Sequence, residues 1–240
     1  MKKIYLTILA VVAGITLASL TSCRMHCVRG SGNQITENRK VGDFKRLEVS
    51  DSFKVIIKQD SSTTINVTAD DNLLKYIKTT VSDGKLRIYT RKNMCNSGEM
   101  IVKVPVRMLE GLASSDASEI TADGKITAQD LYLKLSDGSR ITLDLTAKQV
   151  TTHASDASEL NLKGQGSSFN IELSDGSKIY AKDFVSGSSA VKASDGSYSE
   201  LNILNSLNVR ASDGSIIKYF GNPSSVHTNN SDGASVQKAN

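Results

Sequence analysis

The chain has no tryptophan, aromatic residues make up only 5% of it, and it holds three histidines in 240 residues. Few broad platforms are therefore available for stacking bases or sugars, and histidine-centred catalysis has little to draw on. An excess of one charge is missing too. Against 29 Lys and Arg stand 25 Asp and Glu, a formal charge of +4, which leaves no strong electrostatic footprint for nucleic acid. Cysteine appears only as Cys23, Cys27 and Cys95, and no pair of cysteines and histidines has zinc spacing. No Gly-rich phosphate loop joins a strand to a helix. Beyond the first residues, no stretch is long and apolar enough to span a bilayer as a helix.

The one long apolar run opens the chain. Met1-Lys2-Lys3 is a basic start, Ile4 to Leu20 is mostly apolar, and Leu20-Thr21-Ser22-Cys23 follows. That order marks residues 1–22 as a secretory signal rather than a membrane anchor. The tetrapeptide resembles the lipobox of bacterial lipoproteins. The resemblance implies acylation at Cys23, a membrane partner through that lipid, and an outer-membrane lipoprotein of the cell envelope, facing either the periplasm or the exterior. Losing Lys2 and Lys3 would take the formal charge from +4 to +2. Cys27 and Cys95 then either pair in an oxidising compartment or remain two thiols, since spacing alone decides neither. Residues 23–43 are polar and aperiodic, which predicts a flexible tether.

Repetition is what the chain has in quantity. From Phe44 to Val106 the runs FKRLEVS, FKVIIKQ, TTINVTA, KLRIYT and MIVKVPV are β-branched and alternating but not repetitive. Residues 44–111 therefore read as a β-rich N-terminal cap. In it DDNLLKYIK suggests one helical turn capped by Asp70 or Asp71, and Ser82-Asp83-Gly84 a hairpin turn. Over 112–240 a Ser-Asp-(Gly/Ala)-Ser motif begins at Ser115, Ser136, Ser155, Ser174, Ser194 and Ser212, with a degenerate copy at Ser231. The steps are 21, 19, 19, 20, 18 and 19 residues.

Aligned on the motif, apolar and polar columns alternate on both sides of it, as in strands with one buried face. A tight hairpin at each Asp-Gly would set Leu135 against Arg140 and Leu173 against Lys178, pairs that must share a face. Stacked coils of a solenoid remove the conflict. Glu119, Arg140, Glu159 and Lys178 then alternate in sign up the stack, and Lys134, His153, Glu172 and Lys192 avoid a run of one charge. The expected fold is all-β, a right-handed parallel β-helix continuous over 44–236.

The motif places Asp116, Asp137, Asp156, Asp175, Asp195, Asp213 and Asp232 in file. Carboxylates at such spacing repel by about 1 kcal/mol per neighbour in water. Either turn amides cap them or cations such as Ca²⁺ sit between them; capping needs no extra component and is the expectation, with no cofactor. Because Ala117 and Ala157 replace glycine in two copies, smallness rather than a left-handed backbone is expected to govern that position. His153 lies near Ser155 and Asp156, but in a column otherwise filled by charged residues. It reads as a surface side chain, and no catalytic residue is assigned.

The stretches FKRLEVSDSFKVIIKQ, INVTADDNLLKYIKTTVSDGKLRIY and MIVKVPVRMLEGLASSDASEI, with the later coils, resemble the auto-transporter adhesin, head GIN domain family. The resemblance implies a parallel β-helix on an envelope lipoprotein without established enzymatic activity, and it carries over no residue role. The expected function is non-enzymatic binding of a protein or polysaccharide. The alternatives are a polysaccharide lyase or hydrolase with a groove beside the Asp file, and a calcium-stabilised scaffold. Exposed strand edges at the solenoid ends leave homo-oligomers open.

Overall fold

The structure is a computed structural model that describes residues 27–95 and 97–239. Cys23 and the leader lie outside the described residues. Strands β1 (Val28–Arg29), β2 (Gln34–Lys40), β3 (Arg46–Val49), β4 (Lys54–Gln59) and β5 (Thr64–Asp70) open the chain. A single 3-10 turn (Leu74–Tyr76) precedes β6 (Ile77–Ser82), β7 (Lys85–Thr90), β8 (Met94–Cys95) and β9 (Ile101–Val106). The repeats follow as β10 (Gly111–Ser114), β11 (Glu119–Leu135), β12 (Arg140–Ala154), β13 (Glu159–Leu173), β14 (Lys178–Ala193) and β15 (Tyr198–Ala211). β16 (Ile216–Phe220), β17 (Ser225–Asn230) and β18 (Ser235–Lys238) end it.

Every repeat strand lies parallel on the next, so the chain winds as a β-solenoid. Glu119, Arg140, Glu159, Lys178, Tyr198 and Ile216 stand in one line of register. A second line holds Lys134, His153, Glu172, Lys192 and Arg210. The coil-on-coil reading of the columns is therefore correct. Between those exposed lines the alternation buries Ile120, Ile141, Leu160, Ile179 and Ile217, along with Leu133, Ile171, Val191 and Val209. Each such side chain contributes about 1.5–3 kcal/mol when it leaves water. Ser199 takes the place of an apolar residue in the first file. It is fully buried, and its hydroxyl has no hydrogen-bond partner among the described residues.

The cap is the first turns of the same solenoid rather than a separate layer. β3 is sandwiched between β7 and β10, and β4 between β9 and β11. Ser50-Asp51-Ser52-Phe53 even makes a corner beneath the first repeat, with Asp51 and Ser52 at φ 66° and 60° and the Ser52 amide bonded to the Asp116 carbonyl at 2.9 Å.

Three expectations for the N-terminal part need correction or completion. The segment expected as a flexible tether carries β1 and all of β2, which pairs antiparallel with β5 from Gln34↔Asp70 to Lys40↔Thr64. Alternation is hard to read there because β2 is exposed on both faces. The helical turn is only a 3-10 turn, and no side chain caps it. Asp71 is instead held by Ser31 and Asn33. Cys27 and Cys95 form a disulfide across 68 residues, which fastens β1 to β8. Ser82-Asp83-Gly84 does turn a hairpin, with Ser82 facing Lys85.

On the outer face of β3, Glu48 accepts hydrogen bonds from Lys85 at 2.8 Å and Arg87 at 3.0 Å. Burial opposes its ionisation, but the two cations outweigh that and hold its pKa below the ordinary 4.5. A lowered pKa means stability that is present above about pH 4.5 and lost as the pH falls through the folded-state value. Because the pair is partly exposed, its contribution is at most about 1 kcal/mol. Melting curves at neutral pH and at about pH 3 should therefore converge more closely for Glu48→Gln than for the parent. An unchanged acid limb would remove the role assigned to this contact.

Candidate functional site

The corners are built by the backbone, and the carboxylates take less part than expected. Within each copy the second serine amide closes the turn onto the first serine carbonyl, as Ser139 does onto Ser136 at 3.1 Å. Asp137 and Gly138 have φ of 54° and 67°, the double left-handed geometry of a type I′ turn. Coils are then joined through the turn peptides. The Ala117 amide donates to the Asp137 carbonyl at 2.9 Å, Gly138 to Asp156 at 2.8 Å, and so on to Gly214 and Asp232 at 2.9 Å.

These bonds overturn two expectations. Asp side chains do not cap the turn amides; where a partner is found, as in Asp116 and Asp175, it is the hydroxyl of the preceding serine, at 2.8 and 2.6 Å. Asp suits the position because it tolerates a left-handed backbone better than most residues. Nor does smallness govern the next position. Ala117 and Ala157 both sit at φ 56°, and a Cβ added at Gly138, Gly176, Gly196, Gly214 or Gly233 would meet nothing within 4 Å. The requirement is positive φ, and two alanines accept it.

The Asp file itself is exposed from Asp116 to Asp232. Successive members are one coil apart, and among the described residues no three His, Cys, Asp or Glu gather as a metal-binding group. A residue that the columns did not single out holds most corners from inside: the second serine, although the Ser158 hydroxyl finds no partner among the described residues. Ser139, Ser177, Ser197 and Ser215 are buried and donate to the carbonyls of Ser114, Ala154, Leu173 and Ala193 at 2.7, 3.0, 3.4 and 3.3 Å. Its invariance across the six complete copies is the signal, overshadowed by the charge beside it.

Beside the corners runs a shallow trough of about 780 Å³, between the first serines and the line Lys134, His153, Glu172, Lys192, Arg210. It crosses from the coil of Lys134 to that of Ser231 without a break. Glu172 bridges two neighbours, His153 Nδ1 at 3.0 Å and Lys192 Nζ at 2.7 Å. The hydrogen bond from Lys192 holds the Glu172 carboxyl below its ordinary range, against a slight opposing effect of burial. Lys134 and Arg210 make no ion pair among the described residues. His153 also lies against the Tyr132 ring, with centroids 5.3 Å apart, which makes it a surface ladder residue. It makes no hydrogen bond to Ser155 or Asp156 among the described residues.

A family model described as "Putative auto-transporter adhesin, head GIN domain" matches residues 43–223. Among solved structures, a putative adhesin from Bacteroides fragilis superposes with a TM-score of 0.83 at 16% identity, over 88% of this chain and 100% of that one. A putative adhesin from Parabacteroides merdae gives 0.73 at 17% identity, over 89% and 99%. A structure called a putative lipid binding protein, from Parabacteroides distasonis, gives 0.71 at 17% identity, over 89% and 99%. At such identities the likeness is one of fold. No curated protein matches the chain.

Proposed function

Because the chain belongs to the family described as putative auto-transporter adhesin, head GIN domain, we infer that it is a non-catalytic binding module of the bacterial cell envelope. It is held to the membrane by a lipid at Cys23, and it grips an extended protein or polysaccharide along the trough. The observation that carries this reading is the trough's uniformity. Equivalent positions of successive coils supply its lining, so it offers a repeating surface about 4.8 Å per step. Catalysis needs one differentiated cluster; a repeating surface suits an extended chain engaged at several points. Among the described residues no helix is long and apolar enough to cross a membrane; the anchor proposed here is the lipid at Cys23. The acyl chain would have to be sought by mass spectrometry of the membrane-extracted protein.

The test is a glycan array and a cell-surface pulldown with the mature chain, each repeated with Lys192→Glu/Arg210→Glu. Arg210, without an ion pair among the described residues, and Lys192, paired with Glu172, lie side by side on adjacent coils of the trough. The double variant should weaken capture about tenfold, and added salt should weaken the parent likewise. Silence of the parent in both assays would leave the domain a structural spacer. Capture that ignores the double variant would move the site off the trough.

A further inference from the structure

A second concavity of about 430 Å³ lies on the other side of the corners, across β11 to β15. Two departures from a strict 19-residue step lie along it. In the long 21-residue step, Ala122-Asp123-Gly124 bulge opposite Leu143 alone. In the 20-residue step, Ala181-Lys182 oppose Leu162 alone, and Lys182-Asp183-Phe184 have no partner in β15. Between the bulges, β12 and β13 pair without interruption from Thr142↔Asn161 to Asp144↔Lys163. Bulges re-aim side chains and are frequent beside binding sites. Two on one side, three strand spacings or roughly 14 Å apart, leave a floor the size of one or two sugar rings.

We propose that this cleft binds a single uncharged pyranose unit, with Tyr180 as its stacking face and the surrounding carboxylates as acceptors of its hydroxyls. Tyr180 stands between Asn161 and Glu200 in one line of register. Its ring is steadied by Tyr198, 5.9 Å away and tilted by 52°. Glu200 is oriented in turn by the Tyr198 hydroxyl at 2.5 Å. Burial, and then that carboxylate, push the Tyr198 phenol up to about 12, so it stays a donor. Asp144, Asp183 and Glu200 outnumber Lys163 and Lys182 on the lining, and Lys163 leans on Asp144 at 3.6 Å. The excess of acceptor-only groups calls for a ligand rich in donors and free of negative charge. A polarised apolar face for the ring completes the demand. A pyranose has both. The site is separate from the trough and does not depend on it.

Because tryptophan is absent, emission from the chain's tyrosines is not masked, and the Asn161 amide assigns a change to this cleft. The mature chain should be titrated with glucose, galactose, mannose, N-acetylglucosamine and glucuronate, following tyrosine fluorescence and the Asn161 side-chain amide by NMR. At least one uncharged sugar should saturate and shift Asn161. Tyr180→Ala should weaken that binding at least about tenfold and Tyr180→Phe by no more than about threefold, while Lys40→Glu, at an exposed position of β2 outside both concavities, should leave it unchanged. If the alanine variant misfolds, the exposed Asp183→Ala and the parent's Asn161 shift carry the same decision. No saturable binding by any uncharged sugar, binding of glucuronate alone, or full binding by Tyr180→Ala would each overturn the proposal.

Discussion

Gly164→Ala should melt on the order of 10 °C below the parent, whereas Gly138→Ala should stay within a few degrees of it. Both glycines have positive φ, but Gly138 at +67° lies in the left-handed region that Ala117 and Ala157 also occupy, and Gly164 at +112° lies outside it. Space separates them further. An added Cβ at Gly164 would lie 2.1 Å from the Leu145 carbonyl oxygen and 3.0 Å from its carbon, and Leu145 is its strand partner in the coil below. Backbone cannot step aside without opening the ladder between β12 and β13, and φ near +112° is itself strained for any other residue by about 1–3 kcal/mol. Together these cost at least about 3 kcal/mol. At Gly138 a Cβ meets nothing within 4 Å, and Ala117 and Ala157 already occupy the equivalent place. That substitution should cost no more than about 1 kcal/mol. Differential scanning calorimetry of the two variants checks this. Equal melting temperatures would mean that coils do not approach as closely at Gly164 as its pairing requires.

The same pair of glycines shows what the sequence makes legible. A residue whose neighbours recur every coil announces its surroundings, so the columns through Arg140 and His153 follow from the repeat alone. What recurs also hides its cause: the alanines at 117 and 157 argue against a left-handed corner, yet backbone bonds from each turn to the next hold them there against a cost of about 1 kcal/mol. Gly164 sits in no recurring motif, and its constraint comes from the coil beneath. The cap is legible as strands but not as coils, because its neighbours lie far apart in sequence: Leu47 pairs with Leu112, which pairs with Leu133. The Tyr180 cleft is hidden differently. Insertions lie along it, and in the sequence they look like scatter around 19 until the bulges prove to share one side.

Cys27→Ser/Cys95→Ser should loosen the N-terminal turns selectively, before the repeats give way. The disulfide closes a loop of 68 residues, and in the chain-entropy account such a loop is worth about 4 kcal/mol. That loop contains β2 through β7, so the constraint bears on the cap. β1 and β8 pair over two residues each, too few to hold without the covalent link. Beyond them β2 still has seven paired positions on β5, and the buried Asp70 accepts the Gly32 amide at 3.3 Å and the Gly98 amide at 3.5 Å, pinning the segments that follow both cysteines. The repeats gain nothing directly from the bridge, since each coil is stabilised mainly by its immediate neighbours. Hydrogen exchange should therefore quicken by up to about three orders of magnitude in β2 and β8, with β12 to β14 nearly unchanged, and a lower-temperature shoulder should appear in the melt. Reductant on the parent should do the same. The effect would place the most easily opened part of the molecule at its N-terminal end, next to the anchor proposed at Cys23. Unaltered exchange in β2 would mean that the antiparallel pairing holds the cap on its own and the bridge adds nothing to it.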